Sequence, residues 1–343
     1  MTSERLLITG GSGFIAGHCI AQALTQGYQV RTTVRSLSRE GELRAAIQQL
    51  VDSDHNLDVV TADLEADAGW LAAASGCTYV LHVASPFPRI SPKNDAELVR
   101  PARDGALRVL TAARDAGVKR VVMTSSTAAV AYGRGGRETP FTEADWSDET
   151  NRSDSSAYER SKTIAERAAW DWMVREGGTL ELVTVCPGAV LGPVLGPVQS
   201  ASIDIVVRLL DGSLPATARF GWPLVDVRDV AELHLRAMTT PQAAGQRYIA
   251  AASFAWMSDV ADVLREQVPT LADQVPHRSL PNIIVRLSAL VDSALRSRLY
   301  ELGKHRPVSA NKARSELGWQ TRPLADTIVD TANSLTGITL DPA

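Results

Sequence analysis

Residues 6–17 of the chain read LLITGGSGFIAG, a short apolar run that leads through a glycine-rich turn into a helical pattern. Gly10 permits a tight turn after the predicted strand, and Gly13 lets the backbone approach a pyrophosphate at the positive end of the following helix. The spacing departs from the dinucleotide fingerprint G-x-G-x-x-G, so an ordinary glycine-rich turn is the alternative. The strand before the turn and the helix after it are the context that a nucleotide site requires. We therefore predict a phosphate-binding loop here.

The first half of the chain alternates short apolar runs with helical patterns. Such alternation predicts right-handed βαβ units, and hence an α/β fold built on a doubly wound parallel Rossmann sheet. The predicted strands cover residues 6–9, 28–34, 57–61, 78–83, 120–124 and 180–186, and the predicted helices cover 14–25, 39–50, 98–113 and 158–174.

The pattern loosens after Cys186, where six prolines and glycines punctuate residues 187–197. We expect residues 1–187 to form the dinucleotide-binding domain, with later segments near 222–240 and 309–335 returning to it. A smaller, mostly helical substrate-binding region is expected over residues 188–221 and 250–308. Residues 134–137, RGGR, fit no motif, and a flexible surface turn is expected there.

Composition and charge exclude several functional classes. A net charge of −4 argues against nucleic acid as a partner, and the sequence has no apolar run long enough to span a bilayer. Three scattered cysteines and six histidines show no metal-ligand spacing, so no metal site is expected. The first residues lack the long apolar core of a secretory signal, which predicts a cytoplasmic protein.

The end of the second predicted strand indicates which dinucleotide the loop would hold. NAD sites usually end this strand with Asp or Glu, which accepts from the ribose hydroxyls and would repel a 2′-phosphate. Here the strand ends Thr33-Val34-Arg35, and Arg39 follows four residues later. Two guanidiniums suit a phosphate, although Arg39 is equally explained as a solvated helix residue. Arg35 is therefore the main basis for predicting NADP(H).

Tyr158 and Lys162 stand four residues apart in a predicted helix, so their side chains share one face. A neighbouring ammonium lowers the pKa of a phenol from its usual value of about 10 and so suits the pair to proton transfer. Ser125 and Ser126 end the fifth predicted strand, where parallel strands open into the ligand crevice. A hydroxyl there can bind a substrate carbonyl oxygen, or it can merely cap a turn. In combination, the loop, the strand-end serines and Tyr-x-x-x-Lys predict a catalytic site.

These motifs resemble those of the extended short-chain dehydrogenase/reductase superfamily, and most closely its dihydroflavonol 4-reductase-like group. That group includes cinnamoyl-CoA reductases and NADPH-dependent aldehyde and ketone reductases. The resemblance covers nearly the whole chain and rests on residues 9–16, 33–35, 63–64, 83–86, 161–170, 186–193, 225–231 and 316–319.

The resemblance implies a catalytic set of Ser126, Tyr158 and Lys162, with Ser126 rather than its neighbour Ser125 in contact with the substrate. The motifs and the resemblance together imply that NADP(H) is bound by Gly10, Ser12, Gly13, Phe14, Ile15, Arg35, Arg39, Asp63, Leu64, Val83, Ala84, Ser85, Thr124, Ser125, Tyr158, Lys162, Pro187, Gly188 and Val190.

Mostly apolar side chains are expected to line the substrate pocket, which would suit an aryl or alkyl group. The candidates, each equally well explained by core packing, are Phe87, Thr127, Ile203, Val207 and Trp222. We predict an NADP(H)-dependent oxidoreductase that reduces an apolar aldehyde or ketone, with Tyr158 as general acid. The alternatives are oxidation of an alcohol as in hydroxysteroid dehydrogenases, a sugar-nucleotide epimerase or dehydratase, and a non-enzymatic NADP sensor. A small carbonyl or alcohol is the expected partner, with the chain a monomer or a homodimer.

Overall fold

The structure is a computed structural model, which describes residues 4–52, 54–86, 94–196 and 200–336. Ten strands lie in the described residues: β1 (Arg5–Ile8), β2 (Gln29–Val34), β3 (Leu57–Thr61), β4 (Tyr79–His82), β5 (Arg120–Thr124), β6 (Glu181–Pro187), β7 (Ala189–Leu191), β8 (Gly221–Asp226), β9 (Arg247–Ala250) and β10 (Ser253–Trp256). The α-helices of the same residues are α1 (Phe14–Thr25), α2 (Glu40–Ile47), α3 (Trp70–Ala74), α4 (Ala96–Asp115), α5 (Ala157–Glu176), α6 (Ala201–Leu210), α7 (Val227–Thr239), α8 (Met257–Gln267), α9 (Asn282–Ser288), α10 (Ser293–Ser297), α11 (Asn311–Leu317) and α12 (Leu324–Leu335).

Seven of the strands form one parallel sheet in the order β3-β2-β1-β4-β5-β6-β9. The chain runs outward from β1 in one direction and from β4 in the other, so the order reverses between these two neighbours. In a doubly wound sheet this reversal opens a crevice at the carboxyl ends of the strands, where ligands bind. The predicted Rossmann fold is confirmed.

Apolar residues on both faces of the strands explain why helices cover the sheet on both sides. In β1, Leu6 and Ile8 pack in the core that includes α1 and α7, whereas Leu7 packs in the core that includes α4 and α5. Side chains alternate along a strand, so a strand buried on both faces reads as a continuous apolar run. Each fully buried leucine or isoleucine stabilises the fold by about 1.5–3 kcal/mol.

A second sheet has three strands in the order β10-β8-β7, and β9 of the central sheet lies between β8 and β10 in the chain. It packs with α6, α8 and α12 around a separate core that includes Leu191, Ile203, Leu264 and Ile328. None of the helices in the described part of the chain is both long and apolar enough to cross a lipid bilayer.

The segments expected to return to the Rossmann domain divide between the two cores. Of residues 222–240, those in β8 belong to the small sheet, whereas α7 packs against α1. Of residues 309–335, α11 packs against β9 and α7, whereas α12 packs against α6 and α8. Residues 247–250, which the predicted boundary divides, form the edge strand β9 of the central sheet. A short apolar run does not reveal which sheet it will join, so sequence periodicity alone could not place these segments.

Candidate active site

The glycine-rich loop between β1 and α1 is held against the end of β2. Gly10 has a left-handed backbone, with φ of +73°, and its amide donates to Thr33 Oγ1 at 3.0 Å. The Gly11 amide donates to the Thr33 carbonyl oxygen at 2.9 Å, and a Cβ on Gly11 would collide with the Thr32 side chain. Gly13 then precedes α1 and offers no capping side chain. The positive end of α1 is thus directed at the loop, which is an arrangement that fits a pyrophosphate.

Arg39 reaches the same loop from the turn after β2. Its Nη1 lies 3.3 Å from Ser12 Oγ, and its Nη2 lies 3.2 Å from Glu42 Oε1. Ser12, Gly13 and Arg39 line a cavity of about 260 Å³ between the loop, α1 and α2. Arg35 directly follows β2 and is exposed. Positive charge therefore stands at the edge of the loop, where the sequence predicts the 2′-phosphate.

Buried polar contacts fix the segment after β4. Thr9 Oγ1 lies 2.9 Å from His82 Nδ1 and accepts from the Ala84 amide at 3.0 Å. Burial lowers the pKa of His82 to about 3, so its ring is neutral and serves packing rather than proton transfer. Ser85, two residues after Val83, accepts from Lys162 Nζ at 2.9 Å and so links this segment to α5.

A capping box fixes the first turn of α5, which carries the predicted proton donor. Ser156 Oγ accepts from the Tyr158 amide at 3.1 Å, and Glu159 Oε2 accepts from the Ser156 amide at 2.6 Å. Tyr300 donates its hydroxyl to Glu159 Oε1 at 3.1 Å. These contacts define where the helix begins and therefore where Tyr158 points.

The three predicted catalytic side chains meet at the carboxyl end of β5. The Ser126 hydroxyl neighbours the Tyr158 phenol, and Lys162 Nζ lies 5.9 Å from the centroid of the Tyr158 ring. Ser126 Oγ also accepts from the Ala128 amide at 3.1 Å and so caps the turn after β5. Burial raises the pKa of Tyr158 to about 12, although the Ser126 hydroxyl opposes the increase. Burial also lowers the pKa of Lys162 to about 8. At neutral pH the phenol is therefore protonated and the ammonium is charged.

Ser125 faces a different partner from Ser126. Its Oγ donates to Glu166 Oε2 at 2.6 Å, and both residues are buried. Thr184 and Arg247 also donate to the Glu166 carboxylate, at 2.8 Å and 2.7 Å. Glu166 is not among the residues predicted from the sequence. Its spacing of four residues from Lys162, in the series Tyr-x-x-x-Lys-x-x-x-Glu, places it on the same helix face and is the signal that could have revealed it.

Other predicted cofactor residues surround the same crevice. Leu64 lines it together with Ser85, Thr124 and Lys162, whereas Asp63 is exposed after β3. Thr124 is further fixed by a 2.7 Å contact between its Oγ1 and Nε2 of a histidine on α7.

The chain is tightly constrained where it leaves β6. The Gly188 amide donates to the Ala250 carbonyl oxygen at 3.0 Å, and a Cβ on Gly188 would collide with the Pro223 backbone. Pro187 ends β6, and Val190 is buried in β7. This segment therefore joins the central sheet to the small sheet without room for a side chain at Gly188.

The predicted substrate residues have different surroundings. Thr127 is buried in the turn after Ser126, and Ile203 is buried in the second core, against which Val207 packs. The Trp222 ring is stacked with the Phe220 ring, with 6.4 Å between their centroids, and its indole N–H donates to Glu301 Oε1 at 3.0 Å. Phe87 lies outside the described residues. A substrate contact from any of these residues stays a prediction.

Residues 134–137 are anchored to the C-terminal part of the chain. The Gly135 amide donates to Asp154 at 2.7 Å, and the Arg137 amide donates to the His305 carbonyl oxygen at 2.8 Å. Arg306 donates to the same Asp154 at 2.6 Å. The segment is thus part of a packed contact between two distant stretches, rather than the loose surface turn that its glycines suggest.

Comparison with known proteins extends these observations. The profile of the NAD dependent epimerase/dehydratase family matches residues 6–251. A cinnamoyl-CoA reductase of Medicago truncatula, CAD2, is 35% identical over 96% of this chain and 94% of its own. The ketoreductase azaE of Aspergillus niger is 32% identical over 82% of this chain and 87% of its own.

Among solved structures, the yeast methylglyoxal/isovaleraldehyde reductase Gre2 complexed with NADPH is similar, with a TM-score of 0.78 and 27% identity. The similarity covers 97% of this chain and 98% of that one.

The fold, the glycine-rich loop and these relatives define an NADP-dependent oxidoreductase. The chain belongs to the NAD dependent epimerase/dehydratase family, the extended short-chain dehydrogenases/reductases, and is similar to the reductases within it. The resemblance that the sequence motifs suggested is thereby confirmed, and so is NADP(H) as the cofactor.

Proposed function

We propose that the protein reduces an apolar aldehyde or ketone to the corresponding alcohol with NADPH. The observation that supports this most directly is that Ser126 and Tyr158 are neighbours at the carboxyl end of β5, with Lys162 one helical turn further along and its Nζ 5.9 Å from the Tyr158 ring centroid. The relatives named for reduction of aldehydes, ketones and a cinnamoyl thioester act on carbonyl carbon, which supports the same class of substrate here.

In this proposal the substrate carbonyl oxygen lies between the hydroxyls of Ser126 and Tyr158. NADPH, when bound, supplies the hydride that reduces the carbonyl carbon. Ser126 stabilises the negative charge that develops on the oxygen, and Tyr158 donates its phenolic proton to that oxygen. The Lys162 ammonium favours the transient phenolate, which regains a proton from solvent. One carbonyl compound, one NADPH and one proton thus give one alcohol and one NADP⁺.

The cofactor would be held by the parts of the site already described. The amides of the loop from Gly10 to Ile15 would bind the pyrophosphate, and Arg35 and Arg39 would bind the 2′-phosphate. Ser85, Lys162 and the turn at Pro187–Gly188 are proposed to contact the nicotinamide half. Asp63 and Leu64 are proposed for the adenine side. The apolar substrate group would face Phe87, Thr127, Ile203, Val207 and Trp222.

The test is NADPH absorbance at neutral pH with a panel of isovaleraldehyde, methylglyoxal, aryl ketones, keto esters, steroids and cinnamoyl-CoA. The proposal expects NADPH loss with a subset of the panel, much slower loss with NADH, and the matching alcohol as the product. NAD that copurifies with the protein, together with conversion of a sugar nucleotide and no NADPH loss, would instead support the epimerase alternative.

A further inference from the structure

Glu166 is a fully buried acid on the helix that carries Tyr158 and Lys162. Its side chain is 1% exposed or less, and it lies four residues after Lys162, on the same face of α5. An isolated carboxylate in such a place destabilises a protein strongly, so a buried acid must be compensated by donors and positive charge.

The compensation comes from three neighbouring strands. Ser125 at the end of β5 donates to Oε2 at 2.6 Å, Thr184 of β6 donates to Oε1 at 2.8 Å, and Arg247 of β9 donates to both oxygens, at 2.7 Å and 3.2 Å. The carboxylate is therefore paired with the Arg247 guanidinium and held in one orientation. Arg247 is itself fixed by a cation–π contact, with its Cζ 3.7 Å from the centroid of the Trp146 ring.

A carboxylate that only cross-linked the strands of the sheet would not need to lie beside Lys162. Glu166 and Lys162 line the same small crevice, together with Ser85, His82 and Ser125. The groups that face Lys162 are Tyr158 on α5, His82 and Ser85 from the β4 side, and Cys186 on β6. Burial keeps the His82 ring and the Cys186 thiol neutral. Among the described groups that act on Lys162, the negative charge therefore comes from the Glu166 carboxylate.

We propose that Glu166 is a positioning residue of the site, whose buried negative charge keeps the Lys162 ammonium protonated while its Oε2 fixes the direction of the Ser125 hydroxyl. This role rests on the proposed function of Lys162 and acts only through Lys162 and Ser125. Burial lowers the pKa of Lys162 to about 8, and Glu166 opposes that decrease. Without Glu166, Lys162 would therefore lose its proton at a lower pH.

The experiment uses the small number of lysines in the chain, which are Lys93, Lys119, Lys162, Lys304 and Lys312. Labelling with [¹³Cε]lysine gives at most five signals, and Lys162→Met assigns the one of interest. We expect Lys162 to titrate at a distinctly lower pH in Glu166→Gln than in the unaltered protein. Thr184→Val is the matched control, because it removes a hydrogen bond to Glu166 but leaves the charge, and it should leave the titration unchanged.

Kinetics give a second readout that a merely structural role would not produce. A decrease of one unit in the pKa of Lys162 lowers its protonated fraction at pH 8 about fivefold. Glu166→Gln should therefore lose about fivefold more turnover at pH 8 than at pH 6, whereas Thr184→Val should lose the same factor at both. An unchanged Lys162 titration in Glu166→Gln would overturn the proposal.

Glu166→Gln leaves Arg247 without its carboxylate, and a buried unpaired charge can prevent folding. Glu166→Gln combined with Arg247→Gln removes both charges, and it should lower the pKa of Lys162 by less than Glu166→Gln alone, because the loss of the Arg247 cation acts in the opposite direction. Equal titration in this double variant and in the unaltered protein would also overturn the proposal. The titration of Lys162 needs no substrate, so it is independent of the proposed function. If Lys162 titrates at a lower pH in Glu166→Gln while Lys162→Met keeps full activity, the proposed catalytic role of Lys162 is overturned but the electrostatic effect of Glu166 on Lys162 stands.

Discussion

Ser125 donates its hydroxyl hydrogen to Glu166 at 2.6 Å, so the two adjacent serines at the end of β5 have different partners. The Ser126 hydroxyl instead neighbours the Tyr158 phenol, and its Oγ accepts from the Ala128 amide at 3.1 Å. The family resemblance implied Ser126, rather than Ser125, as the serine that contacts the substrate. The different partners of the two hydroxyls agree with that prediction, which the variants below would test.

We predict that the two serine-to-alanine variants behave differently. Ser126→Ala should lower kcat about 100- to 1,000-fold, because it removes a donor to the developing oxyanion. Ser125→Ala should keep most of its turnover and instead lower the free energy of unfolding by about 1–3 kcal/mol, since the buried carboxylate loses a hydrogen-bond donor. Steady-state rates and urea denaturation of both variants check this. The assignment of Ser126 is wrong if Ser125→Ala shows the larger loss of kcat.

Arg39 and Arg35 should determine the preference for NADPH. Charge-assisted hydrogen bonds to a phosphate contribute about 1.5–3 kcal/mol, so Arg39→Gln and Arg35→Gln should each raise the Kd for NADPH about 10- to 100-fold. The Kd for NADH should stay nearly constant, because NADH lacks the 2′-phosphate. Arg44→Gln on α2, the helix that follows Arg39, is the matched control, since Arg44 pairs with Glu40 and Asp54 away from the loop. Calorimetric titration with both cofactors measures these constants, and an equal loss for both would argue against a phosphate contact.

The rate of reduction should depend on pH through Lys162. Burial lowers the pKa of Lys162 from 10.5 to about 8, so the ammonium is present below pH 8 and is lost above it. The pKa of Tyr158 is raised to about 12, so the phenol stays protonated across this range. We expect kcat for reduction to be constant between pH 6 and 7 and to fall above pH 8. Lys162→Met should be slow and should lack this decrease, and a decrease of the same size in that variant would assign it to another group.

Stability should fall in mild acid because three histidines are buried in their neutral form. Burial lowers the pKa of His18 and His234 to about 4 and that of His82 to about 3. In the unfolded chain they titrate at about 6.5, so the unfolded state binds more protons as the pH falls from 6.5 towards 4. Each histidine can therefore remove about 3 kcal/mol of stability over that interval, and full stability is expected above pH 6.5.

Urea denaturation between pH 7.5 and pH 4.5 tests the histidine prediction. His234→Gln, which preserves a side-chain nitrogen near Thr124, should show a weaker dependence of stability on pH than the unaltered protein. The exposed His277 provides the control, and His277→Gln should leave the dependence as it was. Identical slopes for His234→Gln and the unaltered protein would contradict the prediction.

Much of the fold could be predicted because its signals are local. Each of two short motifs predicts an element within a few residues. They are Leu6-Leu7-Ile8 followed by the glycines, and Tyr158 spaced four residues from Lys162. The small sheet was not predicted, because β7 and β10 contain only three and four residues, too few to show a period.

The site was predicted less completely than the fold. Glu166 is paired with Arg247, which lies 81 residues away on β9, and a single sequence gives no sign of that pairing. The packing of residues 134–137 against His305 is hidden for the same reason. In both cases the determining contacts are tertiary, whereas the patterns that a sequence displays are local.

The most direct test of the central claim is a single-turnover reduction of an aldehyde by the protein loaded with NADPH, with Tyr158→Phe compared beside the unaltered protein. The phenylalanine variant keeps the ring but has no proton to donate, so we expect NADPH to bind normally and the chemical step to slow about 100- to 10,000-fold. Tyr300→Phe is the control, because it removes a tyrosine hydroxyl that contacts Glu159 rather than the proposed proton donor, and it should retain most of the rate. Equal rates for Tyr158→Phe and the unaltered protein would contradict the assignment of Tyr158 as the proton donor.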